Sequence, residues 1–510
     1  MSKLSRRTFL KLMGHGSACL SIGGIAALSR IARTAAAQTQ KASASEWEYY
    51  YPDKHDPEAW EVFYPGKYNA EDAKFLKEFN ADLDQINNNK GNINIKDLVS
   101  GKLEGKPWVG RVTEVTRDNM TTIANTYAGN NPLFTNRQYA KKTKYGEMAF
   151  PMVVTPSFFP SIHAAGSGGL GDYMVGDPHN NVIKFCKPVY EGDKLFTVYD
   201  EKHCIDITPG TGSQYRTFAL TGSGRIFNQK GELVAEGANT MKEAFRRHKD
   251  PAKRNKDGKP QLEDHGWWER KAHIYTDEDW EKIIGIWKNE KIQGSKALYW
   301  DDVEIGDEPG PYSTAPIIPA EETAIMMNAP QLAIDIKKNI LDPKAFAKMV
   351  KNKEGIYVMP ENREKKPASG PQFGMEAPSG DRAVCQNAVA AKFAAGMLLN
   401  WIGDQGWLQK FGWVIIPKSR YDLTVIPETP KECYPALFDN KYPYLDKVPY
   451  YKGCCAFWHT MEGDIFNILT YVTDKYKKDG EYFVDLIWWV QTIDKYLVEE
   501  GFATVKLPKK

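Results

Sequence analysis

The chain shows no excess of either charge: 67 basic and 65 acidic residues leave a net charge of +2 over 510 positions. That balance gives no electrostatic footprint for nucleic acid or for an anionic membrane surface. No two cysteines stand at C-x-x-C spacing, which argues against a zinc ribbon or a thioredoxin-type redox site. Seven cysteines are present in all, and six follow the N-terminal region: Cys186, Cys204, Cys385, Cys433, Cys454 and Cys455. An even number permits disulfides in an oxidising compartment, against the plainer reading of buried free thiols. Walker, HExxH and GxSxG motifs are all absent. The glycine run Gly166-Ser-Gly-Gly-Leu-Gly171 lacks the preceding strand and following helix that a phosphate-binding loop needs. Histidine is scarce, with none between His273 and His459. Beyond the N-terminus no apolar run could cross a bilayer, since Lys392 interrupts the one around Val389–Leu399. Nothing in the sequence asks for a metal or a cofactor.

What is there begins at the N-terminus. Ser5-Arg6-Arg7-Thr8-Phe9-Leu10-Lys11 resembles the twin-arginine export motif, with Arg6 and Arg7 as its pair. A stretch free of Lys, Arg, Asp and Glu follows, Leu12 to Leu28, then Ala35-Ala36-Ala37 with the small-residue pattern of a cleavage site. The expectation is a signal peptide over 1–37 and a periplasmic mature chain. This route carries folded cargo, often with a cofactor-bearing partner, so a co-exported partner protein is one candidate association.

The remaining length allows two to four domains at ~100–200 residues each. With 42% hydrophobic residues a large core is possible. Residues 38–106 are polar, with Glu71–Asp84 as a short amphipathic helix. From Trp108 the pattern changes: a strand over Val112–Val115, a helix over Asp118–Ala128, a proline stop at Asn131-Pro132, and a further helical turn at Arg137–Tyr145. Strand-like runs follow at Phe185–Val198, Tyr215–Gly224 and Leu233–Met241, with Asn228–Gly231 as a hairpin turn. Lys249–Asp264 reads as a charged linker and Asp277–Lys288 as a helix with acidic residues in its first turn. Lys351–Ser379 reads as an irregular insertion. Gln386–Trp401 is the most apolar helix, ended by Gly403 and Gly406. Strands are expected at Trp413–Ile416, Tyr421–Ile426, Glu481–Gln491 and Ala503–Leu507.

Two segments share a V-x-x-G-D pattern, Val189-Tyr-Glu-Gly-Asp193 and Val303-Glu-Ile-Gly-Asp307, and so suggest related points in tandem modules. Tyr127-Ala128-Gly129 leading into Asn131-Pro132-Leu133, Leu298-Tyr-Trp-Asp-Asp-Val303, Leu398-Leu-Asn-Trp-Ile-Gly-Asp404 and Gly501-Phe-Ala-Thr-Val505 add to it. In order and spacing, from Trp108 to Pro508, these motifs resemble the MaoC-like acyl dehydratase family in its two-domain form. The resemblance implies an α+β fold of two tandem hot-dog domains, each an antiparallel sheet wrapped around a long helix. The boundaries implied are 107–248 for the first and 298–510 for the second, with 249–297 connecting them and an insertion at 351–379. It also implies a small acyl-type ligand, and pairing of sheets into a homodimer.

Members of that family hydrate a 2-enoyl thioester, or run the reverse, with an Asp and a His five residues later as acid–base pair. The family pattern is Gly-Asp-x-Asn-Pro-x-His. Here the matching stretch is Ala128-Gly129-Asn130-Asn131-Pro132-Leu133-Phe134, so Gly129 stands at the Asp position and Phe134 at the His position. Neither moves a proton. In the second domain the long histidine-free interval leaves no His partner. The substitute carboxylates are Asp381 and Asp404, flanking the apolar helix, and Glu376. Each reads more simply as a helix cap or a surface group. Asn130, Asn131, His163 and His179 are the substrate-side candidates, the asparagines doubling as caps and the histidines as ordinary structural residues. Two readings stay open: a hydro-lyase with a non-standard pair, and a non-catalytic scaffold or binding subunit.

Overall fold

A computed structural model describes residues 81–155, 174–206, 216–245, 248–254, 260–262, 273–317, 336–360, 388–415, 456–457, 463–494 and 496–510. Arg6, Arg7, His163, Glu376 and Asp381 lie outside them, as do five of the six later cysteines or their side chains.

After a helical stretch over 81–89 comes α1 (Ile95–Val99), whose first turn is capped by Asn94. Then come β1 (Thr113–Glu114) and α2 (Arg117–Ile123), which continues as a π-helical turn over Ala124–Ala128. Two short helices follow, α3 (Pro132–Thr135) and α4 (Arg137–Ala140). After a 3-10 turn at Pro151–Val154 the long strands begin: β2 (Met174–Phe185), β3 (Lys194–Asp206), β4 (Arg216–Phe227) and β5 (Leu233–Phe245). A small hairpin, β6 (His248–Arg254) with β7 (Pro260–Leu262), precedes α5 (Asp277–Asn289). The second part repeats the order: β8 (Tyr312–Ser313), α6 (Ile336–Leu341), α7 (Pro343–Phe346), the pair β9 (Val350–Lys351) and β10 (Tyr357–Val358), and the long helix α8 (Ala388–Ile402). It closes with β11 (Trp407–Ile415), β12 (Ala456–Phe457), β13 (Phe466–Lys478), β14 (Glu481–Thr492) and β15 (Tyr496–Lys506).

Strand order makes the repeat explicit. One sheet runs β1-β3-β4-β5-β2-β11-β15-β14-β13-β8, with β12 attached to β15. Counted outward from the centre, β2-β5-β4-β3-β1 on one side matches β11-β15-β14-β13-β8 on the other. The two halves are therefore the same unit used twice, joined where β2 and β11 pair antiparallel, with Phe411 opposite Ile183 and Gly412 opposite Val182. Both outer edges are two-residue strands, which leaves little unpaired backbone for another chain to extend. This is the α+β double hot-dog arrangement that the sequence resemblance implied.

Helix α8 lies against the second half of that sheet because it is apolar nearly all round; Ala390, Ala391, Ala394, Ala395, Leu398 and Ile402 are buried. Small side chains on it bring backbones together. A Cβ on Gly396 would lie 1.8 Å from the Tyr127 carbonyl oxygen, so glycine alone permits the crossing of α8 with the π turn of the first half. At the sheet centre Trp488 stands opposite Gly501, and a Cβ there would fall 2.3 Å from its indole. Glycine opposite a large aromatic lets the ring lie flat on the strand.

Several local expectations change. Phe185–Val198 is not one strand: β2 ends at Phe185, and the turn through Gly192 (φ 84°) separates it from β3. Part of the proposed linker at Lys249–Asp264 forms the β6–β7 hairpin. The two V-x-x-G-D segments do share a turn. Asp193 Oδ2 accepts from Tyr190 N at 2.9 Å, and Asp307 Oδ2 accepts from Glu304 N at 2.8 Å. They do not mark equivalent points, since the first precedes β3 and the second precedes β8, the counterpart of β1. The pattern is a recurring Asp-closed turn, and the repeat rests on strand order instead. No helix among the described residues is long and apolar enough to cross a membrane.

Candidate functional site

The corner that carries the family pattern is built by proline and asparagine. The π turn ends at Gly129 with φ 57° and ψ −129°, a conformation that side-chain-bearing residues rarely adopt. Asn131 then caps α3: its Oδ1 accepts from Leu133 N at 3.0 Å, and Pro132 occupies the first helical position. The Asn131 side chain is buried, and its Nδ2 donates to Asn400 Oδ1 on α8 at 2.9 Å. Asn131 is thus a cap and a tie between the halves. Asn130 is exposed beside it.

The positions of the acid–base pair hold no proton carrier. Gly129 has no side chain, and a Cβ there would be 4.0 Å from the Tyr312 hydroxyl. Phe134 packs edge-on against Phe150, ring centres 5.5 Å apart. Tyr127, fully buried, also packs on Phe150 and meets Phe393 edge-on at 4.9 Å. Lys392 of α8 is buried with its Nζ 5.4 Å from the Tyr127 ring centre.

A second corner of the same design occurs in the other half. Asp342 caps α7, its Oδ1 accepting from Lys344 N at 2.9 Å, with Pro343 at the first helical position. Laid on this Asp-Pro pair, the family pattern puts Ile340 at the Asp position and Ala345 at the His position. Ile340 is buried in the cluster around Trp280 and Trp287. Sequence reading missed this corner because only Asx-Pro survives of the pattern; the cap geometry identifies it.

Asp404, the one substitute carboxylate within the described residues, is buried and committed to structure. Its Oδ2 accepts from the Tyr139 hydroxyl at 2.5 Å, and its backbone N–H donates to Gly294 O at 3.0 Å. Burial raises its pKa above the usual carboxylate range, and the Tyr139 bond opposes this. Tyr139 is raised in turn, first by burial and then by Asp404. The pair fastens α4 of the first half to the end of α8. Its remaining oxygen, Oδ1, is buried without a hydrogen bond. The backbone of His179 lies in β2 at a register shift between Pro178 and Asn180, away from the corner in sequence and on the strand that pairs with β5.

One carboxyl was not singled out from the sequence. Glu499 of β15 is wholly buried opposite Val490, under the first turns of α8. Burial holds its acid well above the usual range, and the Ala391 backbone amide opposes this in part. Neither carboxyl oxygen meets the distance and angle of a hydrogen bond. The signal was available: Glu499 alternates with Gly501, Ala503 and Val505, which places it on the inward face. Cys186 is a free thiol, pushed up to about 11 by burial, in keeping with an unreactive role. Among the described residues no group of His, Cys, Asp and Glu is arranged to hold a metal.

No family model matches the chain, and no curated protein matches it. Solved structures do resemble it at a distance. A MaoC domain protein dehydratase from Chloroflexus aurantiacus aligns with 79% of this chain and 94% of its own, at 11% identity and a TM-score of 0.41. A Mycobacterium tuberculosis protein described as a double hot-dog fold aligns with 78% of this chain and 96% of its own, at 9% identity and a TM-score of 0.39. Both are similar to this chain in fold alone; the strand order given above is what assigns the architecture.

Proposed function

We propose that this chain is an exported protein of MaoC-like, hydratase-related descent whose Asp/His chemistry is gone from both halves. The observation that carries this reading is the pair of Asx-Pro corners. One presents Gly129 and Phe134, the other Ile340 and Ala345, where the family pattern has acid and base. General acid–base catalysis contributes typically 10²–10⁴-fold per positioned group. A scaffold lacking both groups in both halves is poorly equipped to hydrate an enoyl thioester. The test is hydration of a crotonyl thioester by the purified mature chain. No rate above solvent is expected, and turnover that saturates with substrate would overturn the reading. Export is tested separately. Arg6→Lys with Arg7→Lys should leave the protein in the cytoplasm, and N-terminal sequencing of the wild type from periplasm should begin after Ala37.

A non-catalytic binding or scaffold role is the second reading. It is favoured by the way the candidate polar groups are committed to joining the halves, as with Asn131–Asn400 and Tyr139–Asp404. Native purification from periplasm with mass spectrometry of everything retained separates it from an independent enzyme. A stoichiometric partner with no small ligand would support the subunit role, whereas a chemically altered small acid would contradict it.

A further inference from the structure

Helix α5 presents two neighbouring stripes. Trp280, Ile283 and Trp287 are buried, and the two indoles are pinned by donating to Gly355 O at 2.8 Å and Ser313 O at 2.9 Å. Beside them, at helical spacing, Asp279, Lys282, Ile286 and Asn289 line a cavity of about 1080 Å³. The Pro309–Tyr312 segment, the C-terminal half of α8 and Asn467 of β13 complete the lining. Neither Gly129 nor Phe134 belongs to it, so the cavity is separate from the corner described above.

Gly285 stands inside α5 and on this wall. A glycine within a helix costs stability relative to alanine. Nothing lies within 4 Å of the point where its Cβ would stand, so packing within the protein does not call for glycine here. A ligand passing close to the helix backbone would. From Asp279 to Asn289 the wall runs about 15 Å, which matches four or five extended residues of peptide at about 3.3 Å each.

The lining chemistry narrows the occupant. Asp279 is bound by His273 and Thr276, Lys282 by Glu278, and Glu290 by Lys337. Those charges are matched within the protein and ask for none from a ligand. Ile286, Met397, Trp401 and Ile493 offer apolar surface. Among them Asn467 Oδ1 is buried without a hydrogen bond, and a buried acceptor is nearly always paired with protein, water or ligand. An acyl chain would cover the apolar surface and leave that acceptor unpaired. A saccharide has hydroxyls to donate but no side chains to cover four large apolar groups. An extended peptide has both, with an N–H on each residue and side chains alternating to either face.

We propose that this cavity binds a short, uncharged, extended peptide with apolar side chains, which runs along α5 past Gly285 and donates an N–H to Asn467 Oδ1. The claim stands whichever way the hydration test falls. The test is calorimetric titration of the full mature chain with capped, uncharged pentapeptides in which Ser alternates with Val, Leu or Phe. The same peptides N-methylated at every backbone amide, a medium-chain fatty acid and a neutral disaccharide are the contrasts. At least one pentapeptide should bind, and N-methylation should weaken it by about tenfold or more. Gly285→Ala should weaken binding by about tenfold or more while raising Tm without ligand, which separates a filled groove from a damaged fold. Asn467→Leu should weaken it as well. The proposal is overturned if no pentapeptide binds, if only the fatty acid or the disaccharide binds, or if the N-methylated peptides bind as well as their parents. Wild-type affinity in a folded Gly285→Ala or Asn467→Leu protein would overturn it too. So would a lowered Tm in Gly285→Ala, since packing would then account for the glycine. If a variant does not fold, the N-methylated peptides decide.

Discussion

Asn131 Nδ2 donates to Asn400 Oδ1 at 2.9 Å, across 269 residues of sequence and between the two halves of the molecule. The same Asn131 side chain caps α3 through Oδ1. Asn131→Ala removes both bonds and leaves a buried amide oxygen without a donor. The cap is worth about 1 kcal/mol and the stranded acceptor about 1–3, so a loss of about 2–4 kcal/mol is expected in urea unfolding. A double-mutant cycle with Asn400→Ala should return a coupling of about 1 kcal/mol, within the range for contacting residues. Strict additivity would mean the bond is not formed in solution.

The crossing of α8 over the π turn gives a sharper test, because it involves backbone alone. A Cβ at Gly396 would meet the Tyr127 carbonyl oxygen at 1.8 Å, and no rotamer change relieves that. Gly396→Ala should destabilise by about 2 kcal/mol despite alanine's better helix propensity. Gly285, within α5, has nothing within 4 Å of the point where an alanine Cβ would stand. The same change there should stabilise by about 0.5–1 kcal/mol. Opposite signs for one substitution in two helices would locate the effect in the contact. A stabilised Gly396→Ala protein would contradict the crossing.

How far the fold was legible depended on whether a pattern was local. The apolar run that makes α8 stands out unaided, and the structure shifts its bounds from Gln386–Trp401 to Ala388–Ile402. Strand β13 was not legible, because its second half, Asp474–Lys478, is mostly charged and runs from part-buried to exposed, which masks the alternation in Phe466–Val472. The V-x-x-G-D turns read as a repeat because an Asp closing a turn onto a backbone N–H is a common local solution that any β protein reuses. The real repeat is in strand order, which no short window contains. At the site, the sequence already showed Gly129 and Phe134 where the family pattern has Asp and His. The corner at Asp342-Pro343 was not legible, since an Asp-Pro pair is common in sequence and its cap bond shows only in the structure.

Placing the Asp and His of the family pattern at these two positions should not create hydratase chemistry. Gly129 sits at φ 57° and ψ −129°, where an aspartate would be strained by about 1–3 kcal/mol. Phe134 is held edge-on to Phe150, so a histidine there enters an apolar packing site. Gly129→Asp with Phe134→His is expected to unfold at lower denaturant than the wild type and to hydrate no crotonyl thioester. Measurable hydration by the double variant would show that the backbone of this corner still accommodates the family geometry.

Glu499 sets a pH dependence whose sign follows from burial. Its folded acid lies well above the ordinary carboxylate value of 4.5 because it is wholly enclosed beneath α8. Between that ordinary value and its raised folded value, the folded chain holds a proton that the unfolded chain releases. The folded state then binds more protons than the unfolded one, so stability falls as pH rises through this window. Its contribution is fully favourable only below the ordinary value. Asp404, also raised by burial, acts in the same direction above its ordinary 3.8. Glu499→Gln keeps the shape and removes the titration. It should raise unfolding free energy at neutral pH, and it should flatten the decline between mildly acidic and neutral conditions. Asp404→Asn should flatten it less, because its partner Tyr139 already offsets part of the shift. Urea unfolding of the three proteins across that interval measures the slopes directly. A Glu499→Gln protein with the wild-type slope would mean that the carboxyl is solvated in solution and that α8 does not seal it.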